Sequence, residues 1–291
     1  MEISIDNLTK NFGKTKALDN ISLKIGQGMF GLLGKNGAGK TTLMRTIATL
    51  INKTQGEITV CGVPVEKSAQ VRKIIGYLPQ EFSLYPKMRV FDVLDYLGVL
   101  SGMSKKERKT SIDKVLEEVN LSQYRKAKVK VLSGGMKRRL GIAQAILHNP
   151  KVLIVDEPTA GLDPQERIRF RNLLCDLAKD RIVILSTHIV EDIQSTCEDI
   201  AILDNGKILY KGRVNELIKS AQNHVFTIRT SREQSEIIKS QFKVTAMVVS
   251  GEDIILRLVS EEKPFPEALV SEPTMEDAYI YLLGGEANHV S

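Results

Sequence analysis

Met29-Phe30-Gly31-Leu32-Leu33-Gly34-Lys35-Asn36-Gly37-Ala38-Gly39-Lys40-Thr41-Thr42 is the stretch from which the rest of the chain is read. Its apolar start predicts a buried strand, its glycines a tight turn, and Lys40 to Leu50 a helix. Residues 34–41 fit G-x-x-x-x-G-K-[ST] in the strand–loop–helix setting that this pattern requires. Three glycines let the backbone wrap closely, so that its N–H groups point at a polyphosphate. The following helix N-terminus adds its positive end. Lys40 is placed to neutralise the β- and γ-phosphates, and the Thr41 hydroxyl to ligate Mg²⁺. Gly34, Lys35, Asn36, Gly37, Ala38, Gly39 and Thr42 complete the predicted nucleotide contact. A glycine-rich turn with an accidental Lys-Thr is the plain alternative, and the strand–loop–helix context weighs against it.

Two fully apolar runs, Val152-Leu153-Ile154-Val155 and Ile182-Val183-Ile184-Leu185, suit strands covered on both faces of a parallel sheet. The first ends in Asp156-Glu157, at the carboxyl strand edge where such sheets bind ligands. Asp156 suits Mg²⁺, through water, and Glu157 suits polarising an attacking water. An acidic pair after a strand is weak evidence alone and becomes strong beside the upstream loop.

The chain has 291 residues, 42% hydrophobic and 26% charged. This is ordinary globular composition, long enough to bury a core without staples. Cys61, Cys175 and Cys197 are widely spaced and form no metal or redox pair. The net charge of +6 comes without a sustained basic tract carrying interleaved aromatics, so no nucleic acid is expected as partner. The start, Met1-Glu2-Ile3-Ser4-Ile5-Asp6, is no secretion signal. Nothing reaches the roughly 18 apolar residues of a membrane span; Val90 to Met103 is broken by Asp92 and Asp95.

Short strands are expected at Glu2–Leu8 and Ile21–Ile25. From about Ile75 to Leu132 the pattern is mostly helical, with Leu94, Leu97 and Leu100, then Ile112, Val115, Leu116 and Val119, at spacings of three and four. Beyond Leu217, Phe226 and Ile228 alternate with polar residues. Lys243–Val249 and Ile254–Val259 then flank a Ser250-Gly251-Glu252-Asp253 turn, and Thr274–Leu283 reads as a final helix.

Leu132-Ser133-Gly134-Gly135-Met136, followed by Lys137-Arg138-Arg139, resembles the signature loop of ABC transporter ATP-binding subunits. In isolation it is a helix N-cap serine with flexible glycines. The resemblance implies that Ser133, Gly134 and Gly135 grip the γ-phosphate of ATP held by a second ATPase subunit, a homodimer partner or close relative. Where the family most often has Gln this chain has Met136, which removes an amide and leaves Ser133 and Gly135. Further matches follow in order. Gln80, in Tyr77-Leu78-Pro79-Gln80, is similar to the glutamine that links Mg²⁺ and γ-phosphate to the membrane subunit. Asp163, in Ala160-Gly161-Leu162-Asp163-Pro164, is similar to the loop that crosses the dimer interface. His188 matches the histidine that positions water, and Phe12 the aromatic that stacks on adenine. His148, His224 and His289 are read as ordinary core or surface histidines.

The resemblance implies an α/β fold: a P-loop NTPase core whose mostly parallel sheet carries an N-terminal antiparallel β-subdomain. A helical subdomain at about 81–147 completes an ATPase domain over 1–217, and a small C-terminal α+β domain covers 218–291. It implies an ATPase using ATP and Mg²⁺, with Lys40, Glu157 and His188 catalytic. A separate multi-span transmembrane permease would dock near Gln80 to Met88, placing the chain on the cytoplasmic face of the membrane. The signature variant and the tail Glu272-Pro273-Thr274-Met275-Glu276-Asp277-Ala278-Tyr279 resemble exporter branches. Two other readings stand beside this one. The first is a soluble ATPase of the same type acting on DNA or ribosomes, against which the short spacing between loop and signature counts. The second makes the tail a regulatory module.

Overall fold

Alternating burial marks the opening strands of the computed structural model, which describes residues 1–285. β1 (Glu2–Phe12) turns Ile3, Ile5 and Leu8 inward, and β2 (Thr15–Gly26) does the same with Leu18, Ile21, Leu23 and Ile25. Both strands run longer than their apolar cores suggested, because polar ends continue the antiparallel ladder from Glu2–Gly26 to Phe12–Thr15. β3 (Gly28–Leu33) leads into α1 (Lys40–Ile47). There follow β4 (Gln55–Val60), β5 (Val63–Pro64), α2 (Ser68–Arg72) and β6 (Ile75–Leu78). Strands in the order β2-β1-β4-β5 form the antiparallel subdomain.

Residues 75–78 were expected within a mostly helical stretch and form a strand instead. Four residues are too few to show a period. Gly76 decides the packing: a Cβ there would lie 2.1 Å from the Ala145 carbonyl oxygen. α3 (Val90–Leu100), α4 (Lys105–Glu118) and α5 (Gly134–Ile146) form the helical subdomain. α4 opens with a capping box between Ser104 and Glu107.

β7 (Val152–Asp156), α6 (Pro164–Ala178), β8 (Ile182–Thr187), α7 (Val190–Thr196), β9 (Asp199–Asp204) and β10 (Lys207–Arg213) complete the central layer. The second sheet runs β10-β9-β3-β8-β7-β6, and β9, β3, β8, β7 and β6 are parallel to their partners. Asn205 and Gly206, with φ of 46° and 77°, make the two-residue turn between β9 and β10 that a twisted hairpin favours. β7 is buried along its whole length, as is β8. Burial on both faces explains their unbroken apolar sequence.

Contacts divide the chain between Lys211 and Gly212, six residues before the expected boundary at Leu217. The reason is α8 (Val214–Ser220), which packs with the tail. β11 (Val225–Thr230), α9 (Arg232–Gln241), β12 (Lys243–Ser250), β13 (Asp253–Val259), β14 (Leu269–Val270) and α10 (Met275–Gly285) make up the rest of this second unit. Its antiparallel sheet is ordered β12-β13-β11-β14. Phe226, Ile228, Ile254, Leu256 and Leu258 meet Ile238 of α9 in its core.

The tail motif has a structural role here. Asp277, 1% exposed, accepts hydrogen bonds from Arg257 Nε at 2.9 Å, Thr245 Oγ1, and Thr274 N and Oγ1, both at 2.8 Å. Thr274 caps α10 while Asp277 ties the helix to two strands. His148 and His224 are structural as expected: the former meets the Ile75 carbonyl at 3.2 Å, and the latter stacks on Tyr281. His289 lies outside the described residues.

Candidate active site

The phosphate loop is braced from two sides. Gly39, at φ 109°, sits in a region costly for side chains, and a Cβ there would lie 2.8 Å from the Ala17 carbonyl oxygen. Gly34 is hemmed in by the Leu203 carbonyl oxygen at 2.3 Å from such a Cβ. The Gly206 N–H donates to the Ala38 carbonyl at 3.0 Å, which pins the loop to the β9–β10 turn. These contacts hold open a cavity of about 320 Å³ lined by Lys35, Asn36, Gly37, Gly39, Lys40, Thr41, Thr42, Gln80, Glu157 and Ala17.

Lys40, 6% exposed, donates to the Gly34 carbonyl at 2.6 Å and the Lys35 carbonyl at 3.2 Å. Its Nζ stands 3.5 Å from Glu157 Oε1. Glu157 adopts φ 47°, a conformation that costs a non-glycine residue about 1–3 kcal/mol and tends to persist at functional sites. Its N–H donates to the Ser186 carbonyl at 2.9 Å, which fixes the turn. Its Oε2 lies 2.7 Å from His188 Nδ1, whereas Oε1 is buried without a hydrogen-bond partner. An anionic oxygen with a free lone pair beside this cavity can accept a proton from water.

Thr41 Oγ1 donates to Asp156 Oδ2 at 2.9 Å. Asp156 Oδ1 has no partner, and burial raises the carboxyl's pKa above its ordinary value, against the Thr41 hydrogen bond. A buried carboxylate short of one partner, next to a hydroxyl, fits Mg²⁺, which takes one or two carboxylates and fills its shell with waters and substrate phosphates. No cluster of three or more His, Cys, Asp or Glu that would cage a metal by itself occurs among the described residues.

The remaining predicted residues stand outside this cavity. Phe12 is half exposed at the end of β1, with Lys10 Nζ 4.7 Å from its ring centroid. Ser133 caps α5, its Oγ accepting from Met136 N at 3.2 Å, and neither it nor Gly135 lines the cavity. Gly134 borders a different hollow, shared with Gln80, Phe82 and Arg138. Asp163 caps α6, accepting from Glu166 N at 2.9 Å.

Two participants escaped the sequence reading. Ala17 has no side-chain signal and enters through the close approach of Gly39. Arg138 donates to the Gln80 carbonyl at 2.7 Å and lies 5.5 Å from the Phe82 ring centroid, so it ties the signature helix to the glutamine loop. Its place in a basic run directly after the signature was the available clue.

Residues 18–160 match the ABC transporter family. An uncharacterized ABC transporter ATP-binding protein of Bacillus subtilis (strain 168), YhaQ, is 37% identical, with 97% of this chain and 98% of that protein covered. The chain belongs to the family of ABC transporter ATP-binding proteins. The linearmycin resistance ATP-binding protein LnrL of the same strain is 32% identical over 97% of this chain and 98% of its own. The Nod factor export ATP-binding protein I of Cupriavidus metallidurans (strain ATCC 43123 / DSM 2839 / NBRC 102507 / CH34) is 36% identical, over 75% and 73%. Among solved structures, a dimeric post-hydrolysis state of the ATP-binding cassette MJ0796, bound to ADP and Pi, aligns with TM-score 0.64 and 25% identity. That alignment covers 72% of this chain and 98% of the cassette.

As an ABC transporter ATP-binding protein the chain is an ATPase with the expected P-loop α/β fold, and family membership favours transport over the DNA or ribosome reading. ABC ATP-binding subunits dimerise and work with transmembrane permeases. No helix among the described residues is long and apolar enough to cross a membrane.

Proposed function

We propose that two copies of this chain, or this chain and a close relative, clamp ATP at a shared interface and drive export through a separate multi-span permease. The observation that carries the reading is the split geometry: Lys40 and Glu157 meet at 3.5 Å beside one cavity, while Ser133 and Gly135 line no part of it. A signature loop that cannot serve its own chain's phosphate has a use if it closes over a partner's.

In this reading the phosphate-loop amides and Lys40 hold the β- and γ-phosphates, and Phe12 stacks on adenine. Mg²⁺, when bound by Thr41, Asp156 and Gln80, supplies further neutralisation of phosphate charge. Glu157 accepts the proton of the attacking water, and His188, tied to Glu157, holds that water in line with the γ-phosphate. Ser133, Gly134 and Gly135 contact the ATP of the other subunit, and Asp163 meets it across the interface. Export is supported by the relatives named for Nod factor export and linearmycin resistance. The permease would meet the hollow at Gln80, Glu81, Phe82 and Leu84, and would hold the chain on the cytoplasmic membrane face.

Coexpression with any multi-span membrane protein found to be encoded beside its gene tests this. The purified pair should hydrolyse ATP several-fold faster than the chain alone, and Phe82→Asp should remove the stimulation while sparing basal turnover. A membrane protein that neither binds the chain nor changes its rate would count against the proposal.

A further inference from the structure

Every sheet in the described structure ends in edge strands, and all but one are guarded by charge, proline or brevity along the run that could pair with another chain. β2 bears Lys16, Asp19 and Lys24, and β10 bears Lys207, Lys211 and Arg213. β5 is two residues long and contains Pro64, and β6 has only four residues. β14 has two residues, followed by Ser271-Glu272-Pro273. Charge, proline and brevity are among the devices by which proteins blunt sheet edges.

β12 is the exception. It is eight residues long, edges its sheet, and carries no charge or proline after Lys243. Met247, Val248 and Val249 are 48%, 57% and 59% exposed. The ladder with β13 sets Met247 opposite Leu256 and Val249 opposite Ile254, on the core face, while Val248 lies opposite Ile255 on the other. Both faces of the strand thus present apolar side chains beside an unpaired backbone edge.

We propose that β12 pairs antiparallel with β12 of a second copy of this chain, joining two four-stranded sheets into one of eight. Charge complementarity argues for this occupant. The bulge that falls between Val244 and Ala246 bends the strand before the regular run Ala246–Ser250. A two-fold axis at Val248 brings each copy's exposed Lys243, at the start of its strand, toward the Ser250-Gly251-Glu252-Asp253 turn that ends the other, where Glu252 is exposed, so the ends of the pair attract twice. A parallel arrangement would bring like charges together. Because β14 is blocked, the contact closes on itself as a dimer, whereas two open edges would propagate a fibre. The contact goes beyond the ATP clamp, since none of its residues belongs to the nucleotide site, and it would hold two copies together with no nucleotide bound.

The test uses the full chain without nucleotide. Sedimentation should give a dimer, and Val248→Lys should weaken self-association by at least about tenfold, because a charge at a pairing edge is what natural edges use to stay apart. In the Glu157→Gln background, Val248→Lys should still dimerise on adding ATP, which separates this contact from the clamp. Val248→Cys serves as an independent probe: directly opposed residues in an antiparallel pair lie about 4.5–5.5 Å apart at Cα, within disulfide reach. It should cross-link on oxidation where the unsubstituted chain, with its three native cysteines, does not. A monomeric nucleotide-free chain, a dimer indifferent to Val248→Lys, open aggregates, or a Val248→Cys variant that fails to cross-link would each overturn the proposal.

Discussion

Glu157→Gln is expected to lower steady-state ATP turnover by about 10²- to 10⁴-fold, the usual contribution of a positioned general base, while ATP still binds. The amide keeps the size of the carboxylate, so the turn at φ 47° and the contact with His188 can persist. What disappears is the anionic oxygen Oε1, the atom left without a hydrogen-bond partner beside Lys40. Binding contacts through the phosphate loop are untouched. ATP should therefore accumulate in a closed dimer, read by single-turnover kinetics and by sedimentation with ATP. Wild-type turnover in the variant would remove Glu157 from its role.

Asp277→Ala should destabilise the second unit by about 3 kcal/mol, the lower end of the range for breaking a buried charge pair. The lower end applies because Arg257 keeps 24% of its side chain exposed and can regain water. Thr245, Arg257 and the Thr274 cap all lose their acceptor at once. Hydrogen exchange of α10 amides in the full chain should accelerate roughly 10²-fold, with α1 and β7 unaffected. The same group predicts an acid response. Burial pushes the Asp277 carboxyl's pKa up, but the hydrogen bonds from Arg257, Thr245 and Thr274 outweigh it and hold it below its ordinary 3.8. A depressed folded value contributes stability that is complete above about pH 3.8 and is lost as pH falls through the folded pKa. Protection of α10 should accordingly hold from neutrality down to that point and collapse beneath it. Equal protection in the Ala variant would sink this account of the tail motif.

The phosphate loop was legible because its geometry is written in residue type: positive φ at Gly37 and Gly39 is what glycine is for. The two parallel strands were legible because burial on both faces leaves only apolar letters. Roles for Ser133, Gln80 and His188 came from resemblance, since a serine before two glycines has no chemistry of its own until a second chain is imagined. Ile75–Leu78 was misread because four residues set no period. α9 was missed because only Ile237 and Ile238 break its polar sequence, and a single buried isoleucine leaves no stripe to detect. The Ala17 contact depends on a main-chain oxygen, which no side chain announces. The domain boundary shifted because α8 belongs by packing to α10, far along the chain, and sequence adjacency to β10 concealed that.

The clamp is tested most directly by mixing two inactive forms, Lys40→Ala and Ser133→Arg. In a mixed dimer one site regains both an intact Lys40 and an intact Ser133, each from a different chain. ATPase activity that neither variant shows alone should return on mixing. A mixture as inactive as its components, with both variants folded and Ser133→Arg still binding ATP, would contradict the shared-interface account.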